Sequence, residues 1–212
     1  MPNITGPGLS FPSASQRGGN ATGGPMGLLG ELLKSTLLSD YSTLVKSGKV
    51  YAAYALVTAP VIFSTAAGTG GPLIWNRPNS GVDAHIIAAS FGGLTTAATA
   101  AGAVGLTGNG GQVVAPTTTT AIDGFQNMLV GGPTSQMGGV FRIGTVTNAG
   151  VGIFPVIAVG TGAITAVEIE MSFVELKGGF IIPPGSWGSL AGNATLTAGV
   201  MALGLLWAEL PA

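Results

Sequence analysis

The chain has 212 residues, of which only 7% are charged while 46% are hydrophobic, and its formal net charge is −1. Average soluble domains carry about 25% charged residues, so this chain offers few groups for acid–base chemistry and little charge to keep a lone particle soluble. Its basic residues form no stripe, which argues against direct nucleic-acid binding, and the absence of cysteine excludes disulfides and thiolate metal sites. We therefore expect part of a larger assembly rather than an enzyme.

Residues 1–25 are rich in Gly, Pro, Ser and Asn and contain little to bury. They predict an extended N-terminal arm, a kind of segment that often orders only against a neighbouring subunit. No signal peptide is expected, because no apolar run follows a positively charged start.

Residues 26–48 form the predicted helical segment, in which apolar side chains recur at a spacing of three to four between residues 27 and 45. Ser39 and Asp40 favour helix caps and divide this stretch into two short helices, and Lys46 and Gly48 are expected to end it. Its wide apolar face suits packing either on a sheet or in a subunit interface. The candidate contact residues are Leu32, Leu33, Leu37, Tyr41 and Leu44.

Residues 49–212 consist of short apolar runs separated by Gly, Pro and Asn, which predicts an all-β sandwich or barrel. The Thr run at 117–120 is expected to be an extended exposed segment. The predicted strands are residues 50–58, 61–65, 73–75, 83–91, 95–104, 112–114, 139–146, 152–159, 163–176, 180–182 and 194–207.

Alternation is clearest over residues 167–173, where the apolar side chains, Phe173 among them, are expected to share one face of a half-buried strand. Glu168 and Glu170 share the other face, at a separation that falls within the range of glycosidase carboxylate pairs. A catalytic pair also needs a cleft and unequal environments, so a solvated strand face is the favoured interpretation.

His85, the only histidine, shares a face of its predicted strand with Asp83. One histidine without cysteine makes a zinc site improbable, and no nucleophile elbow is present. We expect a structural role for His85, and no catalytic, cofactor-binding or metal-binding residue is predicted. The uncharged stretch between Asp83 and Asp123 is too broken by Gly, Thr and Pro to predict a membrane-spanning helix.

Three short motifs point to a family. An apolar-x-Asn-x-Pro-x-Ser-Gly turn (residues 74–81) precedes a predicted strand, an Ile-x-Pro-Gly corner follows at 182–185, and the final predicted strand leads into Trp-x-Glu-Leu-Pro (207–211). With these motifs the chain resembles small structural proteins of tailed bacteriophages, and most of all the jelly-roll decoration (cement) proteins of icosahedral heads. The resemblance covers about residues 50–211.

The resemblance implies a jelly-roll-like antiparallel β-sandwich that forms a homotrimer on the capsid surface of a virion and binds between major capsid proteins, with the N-terminal segment as anchor. No catalytic residue carries over from this family. No cofactor is expected, and the charges and the broken apolar stretches described above argue against a nucleic-acid or membrane partner. We therefore expect a virion structural protein that stabilises the assembled shell by binding to it. Large aromatic side chains are favoured at interface hot spots and equally in cores, which adds three candidate anchors. They are Trp75, Trp187 and Trp207.

The main alternative is a phage tail-fibre or receptor-binding β module, for example one that binds carbohydrate. Two further hypotheses are a glycosidase that uses Glu168 and Glu170, and a membrane protein.

Overall fold

A computed structural model describes residues 41–58, 71–93, 102–150, 154–159, 171–192 and 200–212. Contacts divide the chain into two compact units, Met1–Lys46 and Ser47–Ala212. The described part of the first unit contains the helix α1 (Ser42–Lys46), in which the Val45 N–H donates to the Tyr41 carbonyl at 2.9 Å. The predicted arm, the predicted strand 61–65, and Leu32, Leu33, Leu37, Glu168 and Glu170 lie outside the described residues.

The described part of the second unit consists of β-strands joined by turns and loops. In chain order the strands are β1 (Val50–Thr58), β2 (Leu73–Asn76), β3 (Val82–Gly93), β4 (Gly102–Asn109), β5 (Thr117–Ala121), β6 (Gly124–Asn127), β7 (Gly139–Thr145), β8 (Phe154–Val159), β9 (Met171–Ile182), β10 (Ser186–Gly192) and β11 (Val200–Pro211).

The strands form two antiparallel sheets, one of five strands in the order β6-β1-β11-β3-β9 and one of six in the order β5-β7-β2-β10-β4-β8. The pairs β1–β11, β2–β10, β3–β9 and β4–β8 are nested like the arms of one long hairpin, and successive strands within each arm alternate between the sheets. This connectivity of eight strands is a jelly roll, and it confirms the predicted all-β, jelly-roll-like sandwich. The inserted strands β5, β6 and β7 extend the two sheets beyond β2 and β1.

The core lies between the two sheets and is filled by alternate residues of the long strands. On β1 the side chains of Tyr51, Ala53, Ala55 and Val57 are buried and pack in one cluster with apolar residues from the six-stranded sheet. Because successive side chains of a strand point to opposite faces, the intervening residues of β1 face away from the core. The members that the six-stranded sheet adds to the cluster are Ile74, Val104, Leu106 and Leu190.

The predicted strand at 50–58 coincides with β1, and the Thr run lies in β5 and is largely exposed, as expected. Residues 112–114 are not a strand. The Gln112 side chain donates to the Val114 carbonyl at 2.6 Å, and its backbone N–H donates to the Gly185 carbonyl at 2.8 Å. This segment is therefore held by a local hydrogen bond and by one to the corner at residues 182–185, and not by pairing with a strand. The strands β6 and β10 were not predicted, and 176–182 continue one strand rather than beginning a new one.

Two of the motifs that carry the family resemblance lie side by side. The buried Asn76 side chain donates to the carbonyls of Val82 at 2.7 Å and Ile182 at 2.9 Å. The Gly185 N–H donates to the Asn76 carbonyl at 2.8 Å. Gly185 has a φ of 74°, which glycine adopts without strain. The turn after β2 and the Pro-Pro-Gly corner after β9 are therefore joined by one amide side chain.

Candidate interaction surface

The face of the five-stranded sheet that points away from the core, here called the outer face, is apolar over its centre. On β1 it carries Ala52, Tyr54 and Leu56, of which Tyr54 is 49% exposed and Leu56 38%. Exposed apolar side chains grouped on one sheet face mark a contact surface more often than isolated ones do.

Four directly paired residues cross the outer face in one row. Tyr54 on β1 pairs with Gly204 on β11, Gly204 pairs with Ser90 on β3, and Ser90 pairs with Phe173 on β9. Neighbouring strands lie ~4.8 Å apart, which places the two aromatic residues ~14 Å from each other. Tyr54 and Phe173 therefore stand on either side of a two-residue gap that contains only a glycine and a serine.

The next row deepens this gap into a trough. Ala52, Leu206 and Ala88 are paired in sequence across the same three strands, and Glu175 ends the row on β9. A Cβ on Gly204 would overlap the Ser90 hydroxyl, which would have to turn aside if Gly204 were replaced. The resulting trough has a volume of about 520 Å³. Within the described part of the chain, none of the residues that line it carries a charge.

Phe173 lies on the outer face with 61% of its surface exposed, which corrects the expectation that it faces the core. Its neighbours Val174 and Leu176 pack against the core cluster, as does Phe180 farther along β9. The residues of β9 that face the core are therefore even-numbered, whereas the alternation over residues 167–173 predicts that the odd-numbered residues do so. An exposed phenylalanine on a long strand adds apolar area to the outer face.

A preformed apolar turn follows the trough residue Met128 in the chain. Met128 lines the trough, and the Gly132 N–H donates to the Leu129 carbonyl at 2.7 Å to close a turn whose tip residue, Val130, is 98% exposed. Asn127 braces this turn, because its amide donates to the carbonyls of Gly48 at 2.8 Å and Pro133 at 2.9 Å while its oxygen accepts from the Leu129 N–H at 2.8 Å. The turn presents apolar side chains on a backbone ordered by hydrogen bonds.

Two of the three tryptophans proposed as interface anchors are buried, which corrects that prediction. Trp187 is 2% exposed and donates its indole N–H to the Asn148 carbonyl at 3.0 Å. Trp207 is fully buried and stacks with Tyr51 and Phe125 at ring-centroid distances of 5.9 Å and 5.7 Å. Both side chains are used to fill the interior of the sandwich and are not available on its surface.

The other candidate contact residues that the structure describes are half-buried. Trp75 is half-buried and donates its indole N–H to the Gln112 carbonyl at 2.9 Å. Tyr41 and Leu44 are half-buried in or beside α1. An interface role for these three residues stays a prediction.

The ionisable side chains of the described residues do not gather into a site. His85 and Asp83 share the outward face of β3, as expected, and both are half-buried. Within those residues no group of three or more His, Cys, Asp or Glu could hold a metal ion. Arg142 and Asp123 form an ion pair at 3.2 Å. No helix in the described part of the chain is long and apolar enough to cross a bilayer.

A second, more polar hollow of about 350 Å³ lies beside Glu209, with Lys49, Tyr51 and Thr134 among its lining residues. The Glu209 carboxylate accepts hydrogen bonds from the Ser135 hydroxyl, the Gln136 N–H and the Trp207 indole. The carboxylate oxygens of Glu209 are thus occupied by hydrogen bonds from within the chain. The hollow results from the way the loop between β6 and β7 packs, and we assign it no ligand.

Comparison of the chain with protein-family models, curated proteins and solved structures finds no match. The outer face is therefore the feature of the described residues that indicates a function. The residues that build its central row were not among those singled out from the sequence, except for Phe173. The one local signal was the outward position of Tyr54 in the alternating run of β1, and the partners Ser90 and Gly204 follow only from strand pairing.

Proposed function

We propose that the chain is a structural component of a virion, a decoration (cement) protein that binds between major capsid proteins on the capsid surface and stabilises the icosahedral head. The observation that carries this proposal is the uncharged trough between Tyr54 and Phe173 on the outside of a jelly roll. Jelly rolls are used for viral capsid domains as well as for lectins and cupins, so the fold supports the proposal without deciding it. An exposed apolar surface of this kind is typical of a protein that functions in contact with others.

In this role the chain acts through binding free energy and uses no catalytic residue, cofactor or metal. A subunit that binds the assembled shell but not its free components stabilises the shell by mass action. Several contacts on one homo-oligomer, which the family resemblance suggests is a trimer, raise the effective concentration of each further contact. The arm at residues 1–25 is proposed to provide the contact with the major capsid protein.

The proposal is tested by adding the purified chain to shells that lack it. We expect saturable co-sedimentation at a fixed ratio to the major capsid protein, together with a higher temperature of shell disruption. Shells that already carry the chain are the matched control, since they should take up none. Failure to bind unoccupied shells would refute the proposal.

A receptor-binding or tail-fibre module is the second candidate, and one observation favours it. Tyr54 and Phe173 are exposed aromatic residues, and the Gln126 amide also lines the trough, a combination that suits stacking on and hydrogen bonding to a sugar ring. A glycan-binding screen discriminates the two candidates. A glycan hit that Tyr54→Ala abolishes and Val113→Ala does not would favour the receptor-binding role.

A further inference from the structure

We infer that the outer face of the five-stranded sheet is covered by the same face of a second copy of the chain, paired about a two-fold axis. This inference rests on the assembly role proposed above and deepens it by naming the surface and its partner. It concerns this contact alone, since a trimer and the contact with the major capsid protein would be built through other surfaces.

The size of the outer face suits such a pairing. The strands β1, β11, β3 and β9 contain 9, 12, 12 and 12 residues. With a spacing of ~4.8 Å between strands and a rise of ~3.3 Å per residue, they present roughly 19 Å by 30–40 Å, on the order of 600–750 Å². A stable interface of standard size buries about 800 Å² on each partner, so one copy of this face supplies most of the area that the other needs.

The outer face carries both the projections and the hollow that packing against its own image needs. A two-fold interface sets the same patch of each subunit against the other, so it needs projections and hollows on one surface. The row Tyr54–Gly204–Ser90–Phe173 has an aromatic projection at each end and a hollow between them. Stacked sheets interdigitate their side chains at a separation of ~10 Å, which allows a ring of one copy to enter the hollow of the other.

The charges of the face also favour a second copy. A patch lined by uncharged residues meets its own image without repulsion, whereas a charged patch would repel it. Glu175 lies at the end of the second row on the outermost strand, and Asp83 and His85 lie near the Val82 end of β3. These ionisable groups are therefore at the rim of the outer face and not in the trough. On the β6 side the trough is lined by the uncharged residues Gln126 and Met128.

The edge of the sheet is a poorer contact than its face. The outermost strand β9 is long, but its pairing with β3 shifts between Ile86 and Ala88, opposite a segment where Lys177 has a φ of 51° and Gly178 a φ of 79°. Bulges and lysines are features that keep an edge strand from pairing with another chain. The second copy is therefore expected to stack on the sheet rather than to extend it.

The test is the mass of the full-length chain in solution, by sedimentation equilibrium over a range of concentrations. Phe173→Glu and Tyr54→Glu place a charge on the outer face from two different strands, and both positions are already well exposed, so the fold should persist. Val113→Glu is the matched control, since Val113 is 65% exposed on the loop between β4 and β5. Circular dichroism and melting temperature confirm folding for each variant.

We expect an even number of chains in the wild type and in Val113→Glu, and half that mass in each outer-face variant. The dissociation constant of the pairing should rise about 30-fold or more, the effect of removing an interface hot spot. A wild-type mass of one or three chains, or an unchanged mass in folded Phe173→Glu and Tyr54→Glu, would overturn the inference. Because shell binding is measured separately, a chain that pairs in solution but ignores shells would refute only the proposed function.

Discussion

The indole Nε1 of Trp207 donates a hydrogen bond to Glu209 Oε1 at 3.4 Å, although the two residues lie on the same strand and both are buried. The same carboxylate accepts the Gln136 N–H at 2.8 Å and the Ser135 hydroxyl, both from the loop between β6 and β7. One buried acidic side chain thus attaches this inserted loop to the last strand of the jelly roll. The loop, in turn, contains the preformed apolar turn at the end of the outer face.

Glu209→Gln is expected to lower the free energy of unfolding by about 1–3 kcal/mol, because one carboxylate oxygen that accepts hydrogen bonds becomes an amide donor facing other donors. Urea denaturation of the two proteins measures the difference. The matched control is Glu175→Gln on the exposed side of β9, which should change stability by less than about 0.5 kcal/mol. Equal effects of the two substitutions would contradict the role given to Glu209.

The stability of the chain at high pH should depend on Tyr51. Burial raises the pKa of this phenol, and the nearby negative charge of Glu209 raises that pKa further. A phenol with a higher pKa in the folded state keeps its proton more tightly when folded, so the free energy of unfolding falls as pH rises from the unfolded value of about 10 through the folded pKa. Below about pH 10 this contribution does not vary with pH.

Tyr51→Phe should therefore lose less stability than the wild type between pH 9.5 and about pH 11, as measured by urea denaturation at each pH. At neutral pH the same variant should be less stable by about 0.5–1.5 kcal/mol, because the hydroxyl donates to the carbonyls of Pro133 and Thr134, each at 3.3 Å. A pH dependence in Tyr51→Phe as steep as that of the wild type would contradict the assignment.

Asn76→Ala should destabilise the fold by about 2–4 kcal/mol, since it leaves the buried carbonyls of Val82 and Ile182 without their donor and opens a small cavity. Asn79→Ala, in the exposed part of the same turn, is the matched control and should cost less than about 0.5 kcal/mol. Thermal denaturation of both variants provides the comparison. Similar melting temperatures would show that the turn and the corner are not joined through this amide.

The order of the apolar turn should depend on Asn127. Replacing it with Ala removes the donor to Gly48 and Pro133 and the acceptor for the Leu129 N–H. We expect amide hydrogen exchange of residues 128–134 to accelerate about 10-fold or more while the exchange of β1 and β11 is unchanged, because a local opening costs less than global unfolding. Unchanged protection of the turn, or equal acceleration in the strands, would count against this bracing role.

Deletion of residues 1–25 should leave the melting temperature of the jelly roll nearly unchanged and weaken binding to shells. The segment is rich in Gly, Pro, Ser and Asn and has little to bury, so its contribution is expected at the contact with the shell. Co-sedimentation of the full-length and truncated chains at several concentrations measures the change in affinity. Equal occupancy of shells by both forms would contradict the anchoring role.

The strands that the sequence predicts well are those whose composition matches their burial. Val50–Thr58 is apolar, lies between Gly48 and Pro60 in the sequence, and coincides with the predicted strand. Ser186–Gly192 was missed because its Gly and Ser residues resemble a loop, yet it lies between β2 and β4 and pairs with both. Tertiary pairing overrides weak strand propensity at such a central position.

The outer face could not be assembled from the sequence, because its central row joins residues separated by up to 150 positions. Tyr54, Ser90, Phe173 and Gly204 become neighbours only when the register of four strands is fixed, and a shift of one residue would turn each of them inward. For the tryptophans the sequence predicts exposed contact residues where the structure has buried ones. A large aromatic side chain suits an interface anchor and a core equally, and Trp187 and Trp207 are in the core.

The most direct test of the proposed function is the copy number of this chain relative to the major capsid protein in purified virions, measured by quantitative mass spectrometry. A decoration protein on an icosahedral head should be present in a fixed ratio to the major capsid protein and in hundreds of copies per particle, a rough scale set by a closed shell of repeated sites. A few copies to a few dozen would assign the chain to a tail or fibre, and its absence from particles would contradict a virion role altogether.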